Sequence, residues 1–149
     1  MEVKVKKLVE EAIIPSYAKP GDAGLDLTAI NYKYDELTDC HIYGTGLAFE
    51  IPEGHVGLIF PRSSNRKTEA YMTNHVGVVD SGYRGEVMIS FKLRDRDTNG
   101  IIPELVKPYE LNERVAQLII VPYPQIKFIE SNNLTETERG TGGHGSTGV

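Results

Sequence analysis

The sequence contains a single cysteine, Cys40, and no tryptophan. One cysteine cannot form a disulfide within the chain, and His41, His55 and His75 show no paired zinc-ligand spacing. No apolar run reaches the length of a membrane-spanning helix, and the first residues lack the apolar segment of a secretory signal. We therefore expect a soluble, cytoplasmic protein that folds without a disulfide or a zinc site.

Positive charge is also scarce. The 16 lysines and arginines are outnumbered by 21 aspartates and glutamates, which gives a net charge of -5 at pH 7. Duplex DNA is bound mainly by lysines and arginines that neutralise phosphates, so this balance argues against a nucleic-acid partner. A small anion held by a few arginines is compatible with it. At 149 residues the chain is expected to be one domain, which buries about two-thirds of its unfolded surface.

Long helical patterns are missing, and short strand patterns separated by Gly, Pro, Asn and Asp recur instead. The predicted strands cover residues 3–9, 25–29, 47–51, 56–60, 114–121 and 126–129. Only residues 63–71 have the pattern of a short helix. Because no repeat or linker divides the chain, the sequence predicts one all-β sandwich or barrel of the jelly-roll kind.

Residues 77–86, GVVDSGYRGE, are the most informative segment. An apolar strand pattern leads to Asp80 at a glycine-bearing turn, and Tyr83 follows three residues later. Residues 87–93 then alternate between apolar and polar, so the segment predicts a β-hairpin with residues 81–82 at its tip. An aspartate at such a turn is either a local cap for backbone N–H groups or a reactive acid at the mouth of a pocket.

The carboxyl-terminal segment changes character at residue 131. Residues 131–138 are polar, and residues 139–149 are mostly glycine and hydroxyl residues after Arg139. Such a composition is typical of a disordered tail, but glycines and hydroxyls also suit a phosphate cradle. It is not a Walker loop, because Ser146 stands where that motif needs lysine. An arm that is loose when empty and folds over a polyphosphate agrees with both interpretations.

Five short motifs occur in order along the chain. They are residues 23–27 (AGLDL), 61–64 (PRSS), 74–85 (NHVGVVDSGYRG), 114–118 (RVAQL) and 139–148 (RGTGGHGSTG). Together they resemble the motifs of the homotrimeric all-β deoxyuridine triphosphatase (dUTPase) family. Each motif alone is common, but all five in order span nearly the whole chain. The resemblance implies a dUTPase-like jelly roll with one short helix, a β core of residues 1–130 and a flexible arm of residues 131–149 that closes over the active site.

The resemblance also implies an activity, the hydrolysis of dUTP to dUMP and pyrophosphate, which limits uracil incorporation into DNA and provides dUMP for thymidylate synthesis. The carboxylate of Asp80 would act as general base and orient a water for attack on the α-phosphorus. Mg²⁺ would be held mainly by the triphosphate, with Asp26 touching it through water. Positioning and charge neutralisation would provide most of the acceleration.

Further residues are implied to bind the substrate. The phosphates would be contacted by Arg62, Ser63, Ser64, Gln117, Arg139, Ser146 and Thr147. Uracil and deoxyribose would be contacted by Asn74, Val78, Val79, Asp80, Tyr83, Met88 and His144. Backbone N–H and C=O groups would select uracil over cytosine, and Tyr83 would stack beneath the deoxyribose and exclude a 2′-hydroxyl. Arg114 is expected to support its strand rather than the ligand.

Two positions depart from the family pattern. His144 stands where many relatives place phenylalanine over uracil; imidazole also stacks, but it titrates, so closure of the arm should weaken as the pH falls through about 6.5. Alternatively, its ring would hydrogen-bond to a phosphate. Ser64 replaces a frequent glycine, and the role of its hydroxyl is open. From the residues alone, 61–64 also fits a helix start with a serine near the N-cap, which is itself an anion site.

The family resemblance implies a homotrimer with shared active sites. The first, second and fourth motifs would come from one subunit, the third motif from a second subunit and the arm from the remaining subunit. Two other functions are open: dCTP deamination by a related enzyme, and a dUTP-sensing regulatory protein whose arm signals to a partner. The intact third motif argues against deamination, and the lack of an inserted segment beyond the polar loop 94–100 argues against the regulatory protein.

Overall fold

The computed structural model describes residues 1–94 and 106–143, which are almost entirely β. One 3₁₀ helix, Ser63–Lys67, lies between the sixth and seventh strands. The strands are β1 Lys4–Lys7, β2 Leu25–Thr28, β3 Asn31–Asp35, β4 Cys40–Gly44, β5 Leu47–Glu50, β6 His55–Pro61, β7 Ala70–Met72, β8 Gly77–Val79, β9 Met88–Leu93 and β10 Arg114–Pro122.

These strands form two four-stranded antiparallel sheets and one two-stranded ribbon. The first sheet has the order β2-β10-β6-β8, the second has the order β3-β4-β9-β7, and β1 pairs with β5. Leu27, Ile59 and Leu118 of the first sheet and Tyr43 and Phe91 of the second are buried in one hydrophobic cluster. The sheets therefore enclose a common core, and the predicted all-β fold of the jelly-roll kind is confirmed.

Two strand patterns are confirmed in detail. Val87, Ile89 and Phe91 are buried while Met88 between them is about half exposed, as the period of two predicts. The strand predicted at residues 114–121 is β10, in which Val115, Ala116 and Leu118 are buried in the core and Ile119, Ile120 and Val121 are half-buried.

The predicted hairpin is wrong, although both of its strands exist. Strand β8 pairs with β6 in the first sheet, whereas β9 pairs with β4 and β7 in the second. Residues 80–87, which we call the Asp80 segment, therefore cross from one sheet to the other. The alternation of side chains fixes which residues are buried but not which strand lies beside them.

Other differences are local. The predicted helix of residues 63–71 ends at Lys67, and Ala70 and Met72 are buried on β7 instead. Strands β3 and β4 were not predicted. Residues 126–129 form no strand, and Ile126 and Phe128 are exposed. Among the described residues there is no helix with the length and apolar character needed to span a bilayer.

A buried tyrosine pair joins the second sheet to the segment that leads into β10. The hydroxyl of Tyr43 donates a hydrogen bond to the carbonyl of Tyr109 (2.8 Å) and accepts one from its backbone N–H (3.0 Å). Burial raises the pKa of Tyr43 well above the usual tyrosine value. Just after Tyr109, the N–H of Asn112 donates to the carbonyl of Ala29 beside β2 (2.7 Å), so both ends of this segment are fixed.

Candidate active site

An open cavity of about 400 Å³, which we call the Asp26 cavity, lies where β2, β10 and the end of β6 meet. In the sheet register Gln117 of β10 stands opposite Asp26 on one side and Phe60 on the other, and Arg62 follows the last residue of β6. Three separate sequence motifs therefore meet here. The cavity is lined by Ala18, Asp22, Ala23, Gly24, Asp26, Arg62, Ser63, Arg114, Gln117 and Ile119.

The carboxylate of Asp26 is held between two arginines. Nε of Arg62 donates to Oδ1 of Asp26 (2.6 Å), and Nη2 of Arg62 approaches Oδ2 at 3.4 Å. Nη1 of Arg114 donates to Oδ2 from the other side (3.0 Å). A carboxylate accepts about four hydrogen bonds, so these contacts leave Asp26 able to accept one from a water in the cavity. Arg114, expected only to support its strand, therefore also lines the cavity.

Gln117 is packed tightly against Gly24. Its Nε2 donates to the carbonyl of Pro61 (3.0 Å), which holds the side chain across β6. A Cβ atom on Gly24 would lie 2.4 Å from Oε1 of Gln117, closer than such atoms approach in proteins. A side chain at position 24 would therefore displace the Gln117 amide.

The segment after β6 begins the 3₁₀ helix, as the sequence predicted. The N-cap is Arg62, which has extended backbone angles and makes no side-chain capping hydrogen bond, and Ser63 directly follows it. Nη1 of Arg62 instead donates to Oγ of Ser64 (3.1 Å). The hydroxyl of Ser64 thus helps to orient the guanidinium toward Asp26.

The Asp80 segment carries an exposed acid and an exposed aromatic ring. Asp80 is exposed and follows Val79, which is buried on β8. The N–H of Tyr83 donates to the carbonyl of Asp80 (3.0 Å), which closes a turn, and the Tyr83 ring is 44% exposed. Val78 and Met88, which lie on either side of the Asp80 segment, are also exposed, as is Asn74 before β8.

Strand β8 is an edge strand of its sheet, with β6 as its partner among the described strands. The backbone groups of an edge strand that point away from its neighbour are accessible to a ligand. Successive residues of a strand turn these groups to opposite sides, so one of Val78 and Val79 presents its N–H and C=O to this open edge, where they can bind a planar hydrogen-bonding group.

Within one chain, the Asp26 cavity and Asp80 lie at opposite ends of strand β6. Val79 pairs with Gly57 near the start of β6, whereas Arg62 comes after the end of β6. At about 3.3 Å per residue, the distance along β6 from Gly57 to Arg62 is roughly 16 Å. The structure therefore brings together Asp26, Arg62, Ser63 and Gln117, with Ser64 on the guanidinium, but not Asp80, Tyr83 or the other predicted base contacts.

The predicted arm is only partly described. Nε of Arg139 donates to the carbonyl of Gly142 (3.1 Å), within a turn of the arm itself, and Arg139 does not line the Asp26 cavity. His144, Ser146 and Thr147 lie outside the described residues.

A metal site made by the protein alone is not found in the described residues, where no three His, Cys, Asp or Glu side chains are grouped to hold an ion. Mg²⁺ typically binds through one or two carboxylates together with waters and substrate phosphates. A partly exposed carboxylate at the wall of a cavity, as Asp26 provides, fits that kind of site.

Comparison with known proteins identifies the family of this chain. Residues 10–148 match the sequence profile of the dUTPase family. The chain is 40% identical over 149 residues to the deoxyuridine 5'-triphosphate nucleotidohydrolase of Nautilia profundicola, covering 99% of each chain. It is 38% identical to that of Nocardia farcinica over 98% of this chain and 85% of the relative. Among solved structures, it is similar to the dUTPase of Staphylococcus bacteriophage 80alpha with dUpNHpp, with a TM-score of 0.79, 27% identity and 99% of each chain covered. The chain belongs to the dUTPase family.

Proposed function

We propose that this chain binds dUTP with the triphosphate in the Asp26 cavity and the nucleoside against the Asp80 segment of another copy. As a dUTPase, it hydrolyses dUTP to dUMP and pyrophosphate. The observation that carries the proposal is the meeting of three motifs at the Asp26 cavity, where two guanidinium groups flank one carboxylate.

Arg62 is the main phosphate ligand in this proposal. A guanidinium has five N–H donors, and three of those of Arg62 are engaged by Asp26 and Ser64. The other two have no hydrogen-bond partner among the described residues and can bind phosphate oxygens at the cavity, and the guanidinium is already oriented before the substrate arrives. The hydroxyls of Ser63 and Ser64 and the amide of Gln117 would add further contacts to the phosphates.

Asp80 is the proposed general base. Its exposed carboxylate can accept a hydrogen bond from the water that attacks the α-phosphorus and take its proton as the P–O bond forms. Pyrophosphate is the leaving group, and the arginines stabilise the negative charge on it. Mg²⁺, when bound with the triphosphate, would neutralise part of the phosphate charge, and Asp26 would hold it through a water.

Uracil would be read by the outer edge of β8. The backbone at this edge, in the stretch of Val78 and Val79, would present fixed donors and acceptors, which distinguish uracil from cytosine because the two bases exchange these groups at two ring positions. Asn74 and Met88 would complete this side of the pocket. Tyr83 would lie beneath the deoxyribose and leave no space for a 2′-hydroxyl.

A homotrimer with shared sites accounts for the separation of Asp80 from the Asp26 cavity. The carboxyl-terminal segment supports it, because Ile126, Phe128, Ile129 and Leu134 are 70–89% exposed in one chain. Apolar side chains exposed in this number usually mark a contact surface. In the trimer the arm, with Arg139 and the predicted ligands His144, Ser146 and Thr147, would close over the site of another copy.

The proposal is tested by pyrophosphate release from dUTP with Mg²⁺, compared with dCTP, dTTP and UTP. The parent, the Asp80→Asn variant and a form ending at Glu138 would be assayed together. We expect rapid turnover of dUTP alone, and both altered forms should fold normally while losing nearly all of it. Full turnover by Asp80→Asn would contradict the assignment of the base, and ammonia release from dCTP would indicate the deaminase alternative.

A further inference from the structure

The carboxyl-terminal end of the Asp80 segment is fixed to the turn between β4 and β5. Oε1 of the half-buried Glu86 accepts a hydrogen bond from the N–H of Gly46 (2.8 Å), and Nδ2 of Asn31 lies 3.5 Å from the same oxygen. Oδ1 of Asn31 accepts a hydrogen bond from the N–H of Gly44 (3.1 Å). The Glu86 side chain thus connects the segment to a neighbouring part of the fold. No role was predicted for Glu86 from the sequence.

The next residue strengthens this attachment through its backbone. The hydroxyl of the buried Thr45 donates to the carbonyl of Val87 (2.8 Å), and the N–H of Val87 donates to the carbonyl of Leu47 (2.9 Å). The backbone at residues 86–87 is therefore held in place from two sides.

The Tyr83 ring rests on this fixed end of the segment. Its hydroxyl donates a hydrogen bond to the backbone carbonyl of Glu86 (2.9 Å). A Cβ atom on Gly85 would lie 2.4 Å from that hydroxyl and 2.6 Å from Cζ, so the ring lies directly against the backbone of Gly85. The orientation of the ring is therefore determined by the position of residues 85 and 86.

We propose that Glu86 is a positioning residue for the discrimination between deoxyribose and ribose. This role of Glu86 rests on the proposed function, because it requires Tyr83 beneath the sugar. A ring excludes a single hydroxyl group only if it cannot move aside, and selectivity of this kind depends on side chains that are held by their neighbours. Glu86 touches neither the substrate nor the reacting atoms. It acts through Gly46 on one side and through its own carbonyl on Tyr83.

The experiment measures kcat/KM for dUTP and for UTP by pyrophosphate release. Glu86→Ala should reduce the ratio of the two values by about tenfold, because the ring gains freedom to accommodate a 2′-hydroxyl. Glu86→Gln should keep most of the selectivity, since its Oε1 still accepts the Gly46 N–H. The matched control is Glu50→Gln, which changes an exposed carboxylate paired with Lys4 (2.9 Å) and should behave as the parent.

Tyr83→Phe gives a second measurement that leaves Glu86 intact. It removes the hydroxyl that contacts the Glu86 carbonyl but keeps the ring, so it should also reduce selectivity. Adding Glu86→Ala to Tyr83→Phe should have little further effect, because both changes break the same link. This variant carries the test if Glu86→Ala does not fold.

The outcomes separate the two proposals. If folded Glu86→Ala lowers both kcat/KM values equally, or leaves them unchanged, the positioning role is wrong. The same holds if Tyr83→Phe keeps the parental ratio while Tyr83→Ala loses it. If Tyr83→Ala itself keeps the ratio, the assignment of Tyr83 beneath the sugar is wrong, and the role of Glu86 falls with it.

Discussion

Asp80 and Arg62 lie at opposite ends of strand β6. Val79, just before Asp80, pairs with Gly57 near the start of the strand, and Arg62 follows Pro61 at its end. A paired β-strand is extended and rigid, so the roughly 16 Å between these ends is fixed by the sheet. A general base and a phosphate ligand that act on one triphosphate are therefore expected to come from two copies of the chain.

This arrangement predicts complementation between inactive variants. Asp80→Asn and Arg62→Ala should each be nearly inactive, but mixed assemblies that contain both should include sites with an intact Asp80 and an intact Arg62. With random exchange in equal amounts, about a quarter of the sites are restored. Pyrophosphate release from the mixture, after co-expression or joint refolding, measures the recovery.

In the control mixture, a double variant that carries both Arg62→Ala and Asp80→Asn takes the place of the Arg62→Ala variant. Mixed with Asp80→Asn, it offers no intact base to any site and should restore nothing. If the first mixture is as inactive as this control, the site lies within one chain.

Gly24→Ala should reduce turnover through Gln117. The added Cβ would lie 2.4 Å from Oε1 of Gln117, so the amide must leave its position at the cavity. We expect kcat/KM for dUTP to fall by about tenfold or more, since a displaced phosphate ligand costs transition-state stabilisation. Because the effect acts through the amide, Gly24→Ala in a Gln117→Ala background should cost little more than Gln117→Ala alone. Additive losses would contradict this route.

Tyr43→Phe should destabilise the fold without a direct effect on the site. The substitution leaves both the N–H and the carbonyl of Tyr109 without their buried partner. Each unsatisfied buried group costs about 1–3 kcal/mol, so denaturant unfolding should show a loss of a few kcal/mol with an unchanged m-value. Tyr17→Phe, at a side chain that is 57% exposed, is the control and should leave the unfolding free energy unchanged.

What the sequence predicted follows from which signals are local. The period of two in residues 87–93 depends only on neighbouring positions, and β9 was found where it was predicted. The hairpin was wrong because strand pairing depends on distant residues, here His41 beside Phe91 on β9 and Leu58 beside Val78 on β8. Strand β7 has three residues, too few to show a period.

The candidate site shows the same difference between signals that are local in the sequence and contacts between distant residues. The motifs identified Asp26, Arg62 and Gln117 one by one, but the contact of Asp26 with Arg114 depends on the register of β2 and β10, which spacing along the chain does not reveal. The anchoring of Glu86 by Gly46 depends on how the second sheet approaches the Asp80 segment.

His41 should make the fold sensitive to mild acid. Its side chain is buried on β4, and Nδ1 shares a hydrogen bond of 3.0 Å with the hydroxyl of Tyr32. Burial lowers the pKa of His41 below its ordinary value of 6.5, and the charge of Asp39 acts in the opposite direction but more weakly. The folded state therefore favours the neutral ring. Between the lowered pKa and 6.5 the unfolded chain binds more protons than the folded one, so stability falls as the pH decreases through this window.

Thermal unfolding between pH 7.5 and 5 measures this effect. The Tm of the parent should drop as the pH falls below 6.5, since protonation of His41 then accompanies unfolding. His41→Gln removes the titrating group and should show a smaller decrease over the same range, even if its Tm at pH 7.5 is lower. His55→Gln is the control, because His55 is less buried and should leave the slope as in the parent. Equal acid slopes for the parent and His41→Gln would show that another group is responsible.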